Sequence, residues 1–138
     1  MTKKLILFTF ILVIFSCDGG RVNYNNPNIP NFPVNIQLNL NLPQCSNLQY
    51  ASNHIIVDGG ARGIVVFYTG SSYLAYDLAC PNQSFSTCTS PMTVTGIEAK
   101  CLCDNAVYNL FSGQSAGQQY PMKPYRVEMS GGNLIIYN

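Results

Sequence analysis

Gly63-Ile64-Val65-Val66-Phe67-Tyr68-Thr69-Gly70-Ser71-Ser72-Tyr73-Leu74-Ala75-Tyr76-Asp77-Leu78 sets two apolar, β-branched and aromatic runs on either side of a small polar turn. That composition, broken by Gly and Ser, predicts an antiparallel pair of strands. Upstream, His54-Ile55-Ile56-Val57 reads as another strand, and Asp58-Gly59-Gly60 opens a turn between the two. Further back, Val34, Ile36, Leu38 and Leu40 alternate with Asn35, Gln37, Asn39 and Asn41, the period of a half-buried strand. Downstream, Tyr125-Arg126-Val127-Glu128-Met129, the turn Ser130-Gly131-Gly132-Asn133, and Leu134-Ile135-Ile136-Tyr137 form a closing hairpin. No window carries a sustained helical period. Short strands with Gly-rich turns predict an all-β sandwich or barrel over residues 34–138. A core of that size gains from covalent cross-links.

Composition excludes more than it suggests. Charged residues make up 9% of the 138-residue chain and the formal net charge is +1, so there is no basic surface for nucleic acid. His54 is the single histidine, which rules out a His-based triad or a His-rich metal site and reads as a surface or edge residue. Asp58-Gly59-Gly60-Ala61-Arg62-Gly63 has neither the Rossmann spacing nor the lysine of a phosphate loop and reads as a hairpin turn. Asn82-Gln83-Ser84 matches the three-residue N-glycosylation pattern, and Tyr120-Pro121-Met122-Lys123-Pro124-Tyr125 reads as a constrained entry into the last hairpin. None of these motifs points to catalysis.

The N-terminus carries a targeting pattern. Lys3 and Lys4 precede the apolar run Leu5–Phe15, whose roughly 11 residues suit a signal-peptide core rather than a membrane span of about 20. Ser16-Cys17 at its end resembles the lipobox of bacterial lipoproteins, in which the cysteine thiol is acylated. That resemblance implies a signal peptide over 1–16 and lipidation at Cys17. Residues 17–33, rich in Asn, Pro and Gly, read as a disordered tether that lifts the domain off the bilayer.

Four of the six cysteines, Cys80, Cys88, Cys101 and Cys103, fall between the strand ending at Leu78 and Tyr108. Outside the cytoplasm such cysteines persist as disulfides. Four of them allow three pairings, and a four-thiolate zinc site is a further option that the short Cys101-x-Cys103 gap disfavours. Cys45 is left over and reads as a buried free thiol.

Cys80-Pro81-Asn82 and Cys101-Leu102-Cys103-Asp104 resemble the two loops of the Rieske iron–sulfur family, which carry Cys-x-His and Cys-x-x-His about 16 residues apart. The similarity runs on through Ala106-Val107-Tyr108-Asn109, Gly113, Gly117, Pro121-Met122-Lys123 and Tyr125-Arg126-Val127. It extends to small lipoproteins of Bacteroidetes-type bacteria that keep the cysteines and lack the histidines. Both histidine positions differ here: Asn82 and Asp104 stand in them, a poor iron ligand and a hard anionic one. The resemblance therefore implies a Rieske-like domain without its cluster. By analogy with members that carry an extra cysteine on each loop, Cys88 pairs with Cys103, which leaves Cys80 to Cys101.

The reading is an envelope lipoprotein held by lipid to the inner or outer membrane, facing periplasm or exterior. It has disulfide-stapled loops, a structural or binding role, no cofactor and no identified protein partner. Alternatives are electron transfer through a [2Fe–2S] centre, with Cys80 and Cys101 on one iron and unusual ligands on the other, and thiol–disulfide exchange at Cys80–Cys101.

Overall fold

The computed structural model describes residues 24–138. The expected signal peptide (1–16), Cys17 and the tether up to residue 23 lie outside the described residues. Nine strands follow in order: β1 (Asn35–Asn39), β2 (His54–Val57), β3 (Ile64–Tyr68), β4 (Tyr73–Asp77), β5 (Thr93–Thr95), β6 (Glu98–Lys100), β7 (Val107–Asn109), β8 (Pro124–Ser130) and β9 (Asn133–Tyr137). Six of them form one antiparallel sheet in the order β1-β9-β8-β4-β3-β2, and β5-β6-β7 form a second. The domain is all-β, as the strand patterning predicts. The β3–β4 hairpin pairs Ile64 with Asp77 and Tyr68 with Tyr73. In the β8–β9 hairpin Ser130 pairs with Asn133, so Gly131 and Gly132 are the two turn residues. Both have positive φ, 57° and 83°, which that tight primed turn requires and which glycine supplies without a Cβ clash.

β3 is the centre of the packing. Ile64, Val65, Val66 and Phe67 are all fully buried, because the strand is covered on both faces. Ile64 and Val66 join Val34, Leu38, Leu48, Ala75, Leu134 and Ile136 in one core. Val65 and Phe67 point the other way, into a second core with Tyr76, Leu78, Met92, Ala99, Tyr108, Leu110 and Met122. This second core joins the six-stranded sheet to the three-stranded one, and it contains Cys80, Cys88 and Cys101. Burying each large β3 side chain stabilises the fold by about 1.5–3 kcal/mol, so a charge at Val66 would break it.

Three features depart from the sequence reading. A 3-10 helix over Pro43–Gln49 interrupts the strands, and its i, i+3 spacing brings Cys45 and Leu48 together on the buried side. Seven residues are too few to display a helical period. The strands β5 and β6 are three residues each and offer only one apolar position apiece, Val94 and Ala99, below what alternation can signal. The third departure is a correction. Residues 24–33, expected as disordered tether, lie against the domain: Asn26 and Ile29 are buried, at 7% and 5% exposure. The Asn and Pro residues that make this segment look like a linker are the ones that dock it. Asn26 Nδ2 and Asn28 Nδ2 both donate to the carbonyl of Pro81, at 2.7 and 2.9 Å.

Candidate functional site

The cysteines lie on two loops whose backbones close on themselves. Loop one runs from β4 to β5, and Met92 N donates to Leu78 O at 2.7 Å across its base. Loop two joins β6 to β7, with Cys101 N on Ala106 O at 2.9 Å and Asn105 N on Cys101 O at 3.0 Å. Asn105 takes a left-handed conformation there (φ 62°), which asparagine tolerates better than most side chains. Two disulfides tie the loops: Cys80–Cys101, with Cα atoms 5.5 Å apart, and Cys88–Cys103, 6.0 Å apart. Cys80, Cys88 and Cys101 are buried, whereas Cys103 is exposed. All four sulfurs lie within 4.8 Å of one another. Cys103 is therefore the sulfur open to an attacking thiol, whereas the Cys80–Cys101 bond, where the sequence reading sets exchange, is buried.

Asn82 and Asp104 sit beside these bridges, and both are committed to hydrogen bonds. Asn82 Nδ2 donates to the Tyr108 hydroxyl and to Tyr120 O, each at 2.8 Å, while its Oδ1 accepts from Tyr120 N at 2.9 Å. The amide thus ties loop one to β7 and to the segment before β8. A glycan on Asn82 would cost these bonds, so the Asn82-Gln83-Ser84 pattern is a structural element here. Asp104 Oδ2 accepts from Gln83 Nε2 at 2.9 Å, joining loop two to loop one, and its Oδ1 accepts from Ala106 N at 2.9 Å. Burial pushes the Tyr108 phenol pKa up, and the Asn82 donor partly offsets it.

A second polar centre escapes the sequence reading. Asp77, fully buried at the end of β4, accepts from Ala61 N (2.6 Å), Arg62 N (3.2 Å), Ala79 N (2.8 Å) and the Tyr125 hydroxyl (2.7 Å). The Gly59–Gly63 turn does hold an anion, but it is this internal carboxylate. Gly60, at φ 62°, has no room for a Cβ between Asp77 Oδ2 and the Tyr125 hydroxyl. Burial, reinforced by the Asp77 charge and hydrogen bond, pushes the Tyr125 phenol far above its ordinary range. Arg62 Nη2 donates to Phe85 O at 3.0 Å and its guanidinium lies 4.0 Å over the Phe85 ring, which pins the outer part of loop one.

The N-terminal segment completes the arrangement. Tyr24 donates to Pro121 O at 2.8 Å, and the buried Lys123 ammonium donates to Pro30 O (3.0 Å) and Asn31 Oδ1 (2.9 Å). Residues 24–31 therefore strap loop one to the segment that enters β8. A polar depression of about 240 Å³ adjoins it, lined by the uncharged Gln114, Ser115, Gln118, Gln119, Tyr120 and Pro121. Away from this end, His54 opens the edge strand β2, half-buried. Cys45 is a buried free thiol whose pKa burial raises. Among the described residues no helix is long and apolar enough to cross a membrane.

No family model and no curated protein matches the chain. Two solved structures resemble it in shape. One is a chain from a complex of reduced oxygenase and oxidized ferredoxin in carbazole 1,9a-dioxygenase, with a TM-score of 0.45 and 21% identity, covering 63% of this chain and 82% of that one. The other is the ferredoxin of carbazole 1,9a-dioxygenase from Nocardioides aromaticivorans IC177, with a TM-score of 0.44 and 14% identity, covering 77% and 97%.

Proposed function

We propose that this chain is a lipid-anchored envelope protein whose Rieske-like domain has exchanged its cluster for covalent and hydrogen-bonded staples, and that it serves a structural or binding role. The observation that carries the reading is the state of the would-be ligands. A Rieske centre needs two free thiolates on one iron and two imidazole nitrogens on the other. Cys80 and Cys101 are bonded to each other. Asn82 spends its amide at both ends, and both Asp104 oxygens accept hydrogen bonds within the loops. The residues as arranged do not fit the cluster. Two disulfides in one small domain suit an oxidising compartment, which agrees with the leader and lipobox pattern ending at Cys17.

Intact mass and the visible spectrum of the purified protein test the loss of the cluster. The reading expects a colourless protein whose mass rises by about 4 Da on full reduction, two hydrogens per bridge. A brown protein with iron and sulfide in equal amounts would overturn it. Metabolic labelling with a fatty-acid analogue tests the anchor: label should enter the wild type and be absent from Cys17→Ala.

A further inference from the structure

We propose that Cys80, Cys88, Cys101 and Cys103, once reduced, form a mononuclear four-thiolate site for a soft tetrahedral cation, Zn²⁺ being the ion the geometry fits. The proposal depends neither on the anchor nor on the structural role above.

The four sulfurs already lie within 4.8 Å of one another. Zinc–thiolate bonds of about 2.3 Å in a tetrahedron set the ligand sulfurs about 3.8 Å apart. Closing the present group onto one ion therefore asks the widest pair to draw in by about 1 Å and each bonded pair, once reduced, to part by about 1.7 Å. A binuclear cluster is a different shape: it holds its thiolate pairs on two separate irons, and so needs them further apart.

The scaffold that gathers the sulfurs does not consist of the S–S bonds alone. Loop one is held by Met92 N on Leu78 O and by Cys88 N on Ser84 O at 2.9 Å. Loop two is held by Cys101 N on Ala106 O, and the loops are joined by Gln83 and Asp104. Asn82 adds two bonds to the Tyr120 backbone. None of these hydrogen bonds uses a cysteine sulfur, so reduction breaks none of them directly. The short Cys101-x-Cys103 gap is no obstacle, because each side chain is already drawn to a different partner on loop one. Three of the four sulfurs are buried, which protects metal–thiolate bonds from water, and the exposed Cys103 gives reductant and metal a way in.

The chemistry balances. Each bridge takes two electrons and two protons from one dithiol, which leaves as a disulfide; two dithiols give four thiols. The cation then binds as thiolates form, releasing up to four protons. Two equivalents of a small-molecule disulfide reverse this: each takes two electrons from one thiolate pair and leaves as its dithiol with two protons, the ion is released and both bridges return, so the site exists only in the reduced chain.

Cobalt(II) titration tests this. The purified full chain is reduced with a dithiol, freed of reductant without air, and titrated with Co²⁺ alone. The expected result is one Co²⁺ per chain, with tetrahedral visible bands and thiolate charge-transfer absorption, displaced by one equivalent of Zn²⁺. The oxidised chain should bind none. Cys45→Ser should titrate as wild type, and Cys103→Ser, at the exposed ligand, should bind at least roughly tenfold more weakly. Far-UV circular dichroism of the same samples shows whether each variant is folded. If Cys103→Ser is not, the stoichiometry and thiolate absorption of the wild type decide alone. No tetrahedral spectrum at one equivalent, two ions per chain, or an unchanged titration in folded Cys103→Ser would overturn the proposal.

Discussion

Asn82 and Tyr120 exchange two hydrogen bonds, the side-chain amide of one mimicking a strand neighbour for the backbone of the other: Nδ2 to O at 2.8 Å, N to Oδ1 at 2.9 Å. A third bond, to the Tyr108 hydroxyl, uses the remaining amide hydrogen. An imidazole has one donor and one acceptor on opposite sides of a ring and cannot make this set. Asn82 is therefore fitted to a structural task.

Asn82→His should accordingly destabilise the domain and should not confer a cluster. Leaving the Tyr120 backbone groups unpaired costs about 1–3 kcal/mol. Urea unfolding checks it: the midpoint should fall with an unchanged slope, and reconstitution with iron and sulfide should leave the variant colourless. A variant as stable as wild type would show that Asn82 is replaceable.

Asp77 should be the most sensitive single position outside the apolar core. Asp77→Ala strands three N–H groups, of Ala61, Arg62 and Ala79, and the Tyr125 hydroxyl, at an expected cost of about 3–5 kcal/mol. Tyr125→Phe removes one donor and should cost about 1–2 kcal/mol. Because both act in one network, the double variant should be less destabilised than the two losses added. Denaturant midpoints of the four proteins close the cycle; strict additivity would count against the network.

What could be read from residues alone follows from the range over which each signal acts. The hairpin around Thr69-Gly70-Ser71-Ser72 and the closing Gly131-Gly132 turn are local, and a strand period or turn residue announces them. The gathering of four cysteines is visible, but their pairing came through a family resemblance, because spacing leaves three pairings open. Asp77 was out of reach: apart from Ala79 N its partners lie 15 to 48 positions away, and a lone Asp at a strand end looks like a surface residue. Residues 24–33 misled for the opposite reason. Asn and Pro mark a linker by composition, yet here the Asn amides find acceptors on Pro81, and Lys123 reaches back to Pro30.

The two bridges should reduce in order. Cys103 is exposed while Cys80 and Cys101 are buried, so Cys88–Cys103 should open first under limiting dithiol. Differential alkylation followed by peptide mass mapping reads the order. Each bridge closes a chain segment, of 21 and 15 residues in sequence separation, and losing either should cost about 3 kcal/mol on the loop-entropy model. Simultaneous opening of both bridges at all reductant concentrations would contradict the order.

Buried phenols set the alkaline limit of stability. Burial pushes Tyr24 up to about 12 and raises Tyr108 and Tyr125, from an ordinary value of 10.0. Below pH 10 the folded and unfolded chains both keep these protons. Above it the unfolded chain releases them while the folded chain holds them, so stability must fall as pH rises. Lys123 acts with the opposite sign. Its burial lowers the ammonium below 10.5, so the unfolded chain binds the extra proton and stability rises with pH until the amine is neutral in both states. The urea midpoint should thus hold or climb slightly toward pH 10 and then drop steeply toward pH 12. Tyr125→Phe should soften that drop, since one of the ionising groups is gone. A midpoint that stays level from pH 10 to 12 would mean that these phenols are not shielded from water as described.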